Sequence, residues 1–152
     1  MTIAEAYRRV ETAINGLEDA IINEIIPAAE ADMVEMQTER LFSGLNADGT
    51  PIKNLQTGSS EYSNLTVDFK LRRGQPTDRI TLKDTGEFYK VIYATSYDGK
   101  EVIFDSTDDK SGELKLRYGE EIFGLTNEDK PNVMEITTSG LRDYVKDVTG
   151  FE

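Results

Sequence analysis

Gly44-Leu45-Asn46-Ala47-Asp48-Gly49-Thr50-Pro51-Ile52, followed later by Asp84-Thr85-Gly86, is the stretch on which the reading of the fold turns. Asp-Gly and Thr-Pro are turn chemistry: such residues accept positive φ, preset φ or hydrogen-bond their own backbone. The segment ends the helical pattern before it and opens a loop over residues 43–62, prolonged by Thr57-Gly58-Ser59-Ser60. A loop of about 20 residues is uncommon in a compact domain and is usually functional or disordered.

Upstream, residues 3–26 read as a helix, because Ile3, Ala6, Val10, Ala13, Ile14, Leu17, Ile21, Ile22 and Ile25 recur mostly at three- and four-residue steps. Thr2 is the N-cap, and Glu5 completes a capping box. Pro27 lacks a backbone donor, which predicts an end or a kink near Ile26 before a second helical segment over 28–42. One kinked helix of about 40 residues and two consecutive helices both satisfy this pattern. So long an arm is difficult for a small domain to cover, which favours packing against a neighbour.

Downstream, residues 65–71 (Leu-Thr-Val-Asp-Phe-Lys-Leu) alternate apolar and polar and predict a short strand. Ile80 and Leu82 form a second alternating run. Asp84 or Thr85, with Gly86, caps a helical turn over 87–91. Residues 92–97 and 100–105 alternate around Asp98-Gly99, the strongest short-range signal for a tight hairpin. Residues 105–113 form a polar loop containing Asp108 and Asp109, residues 114–118 a further strand, and Gly119 its stop. A last helix starts at Thr126, with Asp129 at capping-box distance, or at Pro131, and stops at Gly150. The expected fold is α+β in one domain: a helical arm over 1–43, a loop and small antiparallel sheet over 44–125, and a C-terminal helix over 126–149.

Composition narrows the chemistry. The 152 residues are 38% apolar and contain no cysteine and no histidine. Disulfides, thiolate metal sites, the commonest general base and the commonest metal ligand are thereby missing. No apolar run reaches the roughly 18 residues needed to span a bilayer, and the N-terminus lacks a signal-peptide pattern, so we expect a protein made in the cytoplasm, used there or inside an assembly built there, with no membrane partner. The net charge of −12 is uneven: residues 1–43 hold nine acids and three bases, residues 44–83 four acids and six bases, and residues 84–152 sixteen acids and eight bases. Such an excess of acid opposes sequence-specific DNA binding, which needs a basic face. The basic stretch Lys70, Arg72, Arg73, Arg79 and Lys83 reads as a solvated strand edge or a contact for acidic neighbours.

The short motifs read as structure. Asp84-Thr85-Gly86 matches the aspartic-protease triplet, but Lys83 and Glu87 flank it where those enzymes place apolar residues, so it reads as a cap and turn. Asn46, Asp48 and Thr50 resemble the start of a calcium loop, yet Gly49 falls at position four and Thr57 stands where a bidentate glutamate is required. Asp105, Thr107 and Asp109 fail in the same way. No catalytic residue, cofactor or metal site is expected, and no enzymatic activity.

Phe42, Gly44, Asp48 and Gly49, then Leu82-Lys83-Asp84-Thr85-Gly86-Glu87-Phe88, then Phe123-Gly124-Leu125-Thr126 resemble, in order, motifs of the virion-morphogenesis or tail-completion proteins of tailed bacteriophages. Two departures stand out: Thr50-Pro51-Ile52 replaces the usual tryptophan after Asp-Gly, and a histidine common before the last motif is missing. The resemblance implies a virion protein at the head–tail junction, a neck subunit whose partners are copies of itself in a homo-oligomeric ring, head-connector and tail proteins, and DNA passing through without sequence-specific binding. An acidic bore would let DNA slide, since like charges repel and no counterions are released. On this reading Phe42, Asp48, Gly49, Asp108 and Asp109 are loop contacts between rings, and Val67, Phe69 and Leu71 lie on an edge strand that pairs subunits. Asp84, Thr85, Gly86, Asp98, Gly99 and Gly124 are turn or cap residues. The competing class is a small acidic phage or bacterial binding or inhibitor protein.

Overall fold

The computed structural model describes residues 1–151, which form an α+β fold with a long N-terminal helical arm, a two-stranded antiparallel sheet and a C-terminal helix. Helix α1 (Ile3–Asn15) starts at the predicted capping box: the Glu5 amide donates to Thr2 Oγ1 at 3.2 Å, and the Thr2 amide donates to Glu5 Oε2 at 2.6 Å. Gly16, still in right-handed helical φ/ψ, joins α1 to the short α2 (Leu17–Ala20). A π-turn over Ile21–Ile25 then leads directly into α3 (Ile26–Phe42). Of the two readings of the arm, one interrupted helix is the one adopted. Pro27 does not end it, because the extra residue of the π-turn, closed by the Ile26 amide on Ile21 O, widens the turn where the proline removes a donor. At 1.5 Å per residue the path is roughly 60 Å long.

Two expected strands are helices. Residues 64–72 form α4 (Asn64–Arg72), whose N-cap Ser63 accepts the Thr66 amide through Oγ at 3.3 Å and whose last turn carries Lys70 and Arg72 against the helix dipole. Residues 111–118 form α6 (Ser111–Tyr118), closed by Gly119. The period-two pattern misleads here because residues two apart lie on opposite sides of a helix. In α6, Leu114 and Tyr118 pack inward while Leu116 is 82% exposed. The run at Ile80 and Leu82 is irregular, with Leu82 at φ +55°.

The turn α5 (Glu87–Lys90) has Gly86, at φ +92°, at its N-cap with no side-chain cap, so neither Asp84 nor Thr85 takes that place. Strands β1 (Ile92–Thr95) and β2 (Ile103–Ser106) pair antiparallel with Ile92 opposite Ser106 and Thr95 opposite Ile103. The connection is residues 96–102, longer than the two-residue turn expected. Asp98 still turns the chain, accepting the Lys100 and Glu101 amides at 2.9 and 3.1 Å, and Gly99 donates to Ser96 Oγ at 3.0 Å. Thr126 and Asp129 make the reciprocal box bonds, but around a separate turn. The last helix, α7 (Lys130–Thr149), begins with Pro131 in its first turn and stops at Gly150, φ +66°.

The core lies between α3, the sheet and the loops. Leu41, Ile52, Ile80, Phe88, Ile92 and Ile122 form one cluster; Ile26, Ala29, Met33, Ala94 and Phe104 form the other. Val34 and Phe123 pack against both and make the two continuous. Helix α7 runs along α1 and α3, where Tyr144 Oη donates to Ala13 O at 3.0 Å and Arg9 Nη1 to Thr149 O at 2.9 Å. Met33 has no exposed surface and sits where α3 meets the sheet. Met33→Ala should therefore lower the free energy of unfolding by about 2–5 kcal/mol, read from urea denaturation.

Candidate assembly surfaces

The loop after α3 is ordered by α3 itself. Gln37 and Arg40, three residues apart and so on one helix face, both reach Ile122 O, from Gln37 Nε2 at 2.7 Å and Arg40 Nη2 at 2.7 Å. Gln37 Oε1 also accepts the Gly124 amide at 2.8 Å, and Arg40 Nη1 donates to Leu45 O. The Ala47 amide donates to Glu121 O at 2.8 Å, so residues 44–52 and 120–124 form one strap across the end of α3. Gly44, at φ +77°, must lack a side chain, because a Cβ there would lie 2.9 Å from Arg79 Cβ. Burial pushes the Arg40 guanidinium down to about 10, against the pull of Asp129, Tyr89 and Asp48, so it stays charged at neutral pH.

The residues expected at inter-ring contacts fall in different places. Phe42 lies on the surface with Arg79 and Lys83 over its ring, at 5.6 and 5.3 Å. Asp48 and Gly49 form the exposed tip of the Leu45–Pro51 loop; the Thr50 hydroxyl and then its amide hold the Asp48 carboxyl below its ordinary value. Asp48 borders the same shallow depression as Phe123, next to Gly124, whose missing Cβ leaves room for Ala47. Asp108 and Asp109 lie across the molecule near Glu87 and Val91, where Asp108 Oδ1 accepts the Lys110 amide at 2.8 Å.

Val67, Phe69 and Leu71 are not on a strand edge. Helix α4 satisfies its own backbone, so pairing by strand addition at these residues is ruled out. Phe69 instead walls a groove between α4 and α6, about 450 Å³ in volume, whose floor is Tyr62 and Leu82 and whose far wall is Leu114 and Tyr118. Lys70, Arg73 and Lys83 ring it, with Asp84 the one acid. Asp84 is ion-paired to Arg73 Nη1 and held through its carbonyl by Gln75 Nε2 at 2.6 Å. Of the triplet 84–86 only Asp84 thus borders the groove, and Thr85 contributes a 3.4 Å bond from the Glu87 amide to its hydroxyl.

Lys70 is 7% exposed, and its ammonium donates to Gln75 Oε1 at 3.1 Å, Thr81 Oγ1 at 3.4 Å and Lys83 O at 2.7 Å, over the Tyr62 ring. Its partners are all neutral, so its charge stays uncompensated beneath the groove. Leu82 reaches the floor in the left-handed region, uncommon and strained for a branched residue. Sequence reasoning missed Lys70 and Leu82 as groove residues because only the helical form of α4 brings positions 66, 69, 70 and 73 onto one face.

A second surface lies on α1. Ala13, with Ala20 beyond it in α2, is buried, while Ile3, Tyr7, Val10 and Ile14 form an exposed stripe; Ile3 is 91% and Tyr7 67% exposed. Among the described residues no group of three or more Asp and Glu side chains is placed to hold a metal ion, and no helix is long and apolar enough to cross a membrane. Compared with known proteins, the chain matches no protein-family model, no curated protein and no solved structure.

Gln37→Leu should strip the Gly124 amide of its buried acceptor and lower stability by about 1–3 kcal/mol, read from denaturant unfolding. Acid should act partly through Asp105. Burial raises its carboxyl, but Lys115, the Ser106 amide and Ser111 outweigh this and hold it below the ordinary 3.8. A depressed carboxyl contributes stability above its unfolded value and loses it as pH falls through the folded value. Melting temperatures of wild type and Asp105→Asn should differ at neutral pH and converge as pH falls below 3.8.

Proposed function

We propose that the chain is a structural subunit of the head–tail junction of a tailed bacteriophage, a neck, tail-completion or tail-terminator protein working as a homo-oligomeric ring. The observation that carries this reading is the apolar surface left in water on separate elements: the α1 stripe at one place, and Phe69 with Leu65 and Leu71 on α4 at another. Scattered exposed apolar residues are ordinary, but a helical stripe and an apolar groove on one small chain mark interaction surfaces. The resemblance of the Phe42–Gly49, Leu82–Phe88 and Phe123–Thr126 motifs to virion-morphogenesis proteins supplies the setting.

In that setting the subunit works by shape and charge. Its loops at Asp48–Gly49 and Asp108–Asp109 reach toward head-connector and tail rings. The net charge of −12 gives the ring a bore that DNA traverses without releasing counterions or sticking. The same acid makes subunits repel one another unless their contact is locally neutral or complementary.

Deleting the reading frame from the phage that carries it should leave filled heads without tails, and mass spectrometry of purified wild-type particles should find the chain at a fixed copy number. Tailed, infectious particles from the deletion, or purified particles lacking the chain, overturn the assignment. A strict monomer that blocks one enzyme would make the chain a small acidic inhibitor instead.

A further inference from the structure

Building on the ring reading, we propose that subunits join head to tail, the exposed stripe of α1 of one copy seating in the basic groove between α4 and α6 of the next. The two surfaces match in polarity. Along α1 and on into α2, Tyr7, Glu11, Ile14 and Glu18 succeed one another at four-, three- and four-residue steps, so exposed acids alternate with exposed apolar side chains. The groove offers the converse, with Phe69 as an apolar wall and Lys83 and Lys70 as cations among its lining residues. Residues 44–83, which supply most of the groove, form the one net-basic part of an acidic chain.

Charge also explains why this pair is favoured over other self-contacts. Residues 84–152 hold sixteen acids and eight bases, so contact between two copies of that part works on balance against like charge. Within α1 itself Glu5 and Glu11 are balanced by Arg8 and Arg9, and Arg9 is turned toward Thr149. Arg8 lies one turn before Glu11 on the exposed side, so the match to the cationic groove rests on Glu11 and Glu18.

Position favours a repeating contact. The stripe lies at the start of the arm, whereas the groove belongs to the cluster around Leu41 at the end of α3, roughly 40–50 Å further along the helical path. Two α1 stripes meeting across a two-fold axis would leave both grooves empty. Head-to-tail contact fills a stripe and a groove at every junction, and such a heterologous contact closes into a ring or runs on as a filament. Leu82, held at φ +55° on the groove floor, fits a surface built to receive a partner.

The test uses two variants of the full chain, altered only at exposed side chains: Tyr7→Ser with Ile14→Ser in one, Phe69→Ser in the other. Circular dichroism and unchanged melting temperatures confirm that each folds. In sedimentation velocity over about 1–100 μM, wild type should form concentration-dependent oligomers that weaken with salt. Each variant alone should be monomeric, with its dissociation constant raised at least tenfold. Their equimolar mixture should give dimers and nothing larger, since only one intact stripe and one intact groove remain to meet. Lys83→Glu should weaken assembly, and Lys83→Glu with Glu11→Lys should recover it. Wild type monomeric throughout, either variant assembling like wild type, or a mixture that stays monomeric overturns the head-to-tail contact. Wild-type oligomers indifferent to both variants overturn it while leaving the neck assignment standing, because that assignment is judged by the deletion phage and the particle composition.

Discussion

The carbonyl of Ile122 is the point on which the rest of the structure depends. It accepts from both Gln37 and Arg40, two side chains one helical turn apart on the buried face of α3. Gln37 in turn receives the Gly124 amide, and Arg40 reaches Leu45 O. The end of the arm and the loop directly after it are thereby fixed to a segment more than eighty residues later, the one before α7. Taking a guanidinium out of water costs several kcal/mol, and carbonyls alone offset that here without a carboxylate in contact. Arg40 Nε is even left without a partner among the described residues. A buried cation among neutral acceptors is tolerable only where geometry holds the acceptors in place.

The same economy appears a second time at Lys70, also buried and also surrounded by neutral oxygen atoms. The two cations differ in what lies beyond them. Arg40 faces packed backbone, so its charge is spent inside the fold. Lys70 lies under an open groove, and its field reaches the solvent there. Thr81 connects this cation to the core: it has no exposed surface, its hydroxyl accepts from Lys70, its amide donates to Tyr62 Oη at 2.8 Å, and its carbonyl accepts from Tyr89 Oη. Burial raises Tyr89 well above the ordinary tyrosine value, so it remains a donor to Thr81 O through the neutral range.

Much of the fold was legible wherever a local rule and tertiary packing agreed. Thr2 and Glu5 made their box, Pro131 opened α7, Gly150 closed it, and the alternation of residues 92–95 became β1. The misreadings share one cause. Residues 65–71 and 114–118 alternate, yet alternation signals a strand only when one face is buried. In α4, Leu65 and Leu71 are exposed while Lys70 is buried, the reverse of what hydropathy ranks. A helix there satisfies its own amides through the Ser63 cap, whereas a strand would have needed a neighbour to pair with. At Pro27 the missing amide, visible in sequence, left an end or a kink open, and the π-turn that decides for one interrupted helix is not visible there. The groove was illegible for the same reason as α4: its residues converge only once the helix exists.

The exposed apolar residues then acquire a common explanation. A chain of 152 residues with 38% apolar content has a lean core, and it leaves Ile3, Tyr7, Phe69 and Leu116 exposed. Ala6, Ala13 and Ala20 instead give α1 and α2 a narrow contact face, and α7 comes close enough for Tyr144 to reach Ala13 O. Small residues inward and large ones outward is the inverse of an amphipathic helix serving its own core. That inversion is costly for a solitary subunit, since each exposed large side chain forgoes about 1.5–3 kcal/mol of burial. A second surface laid over the stripe would recover that burial.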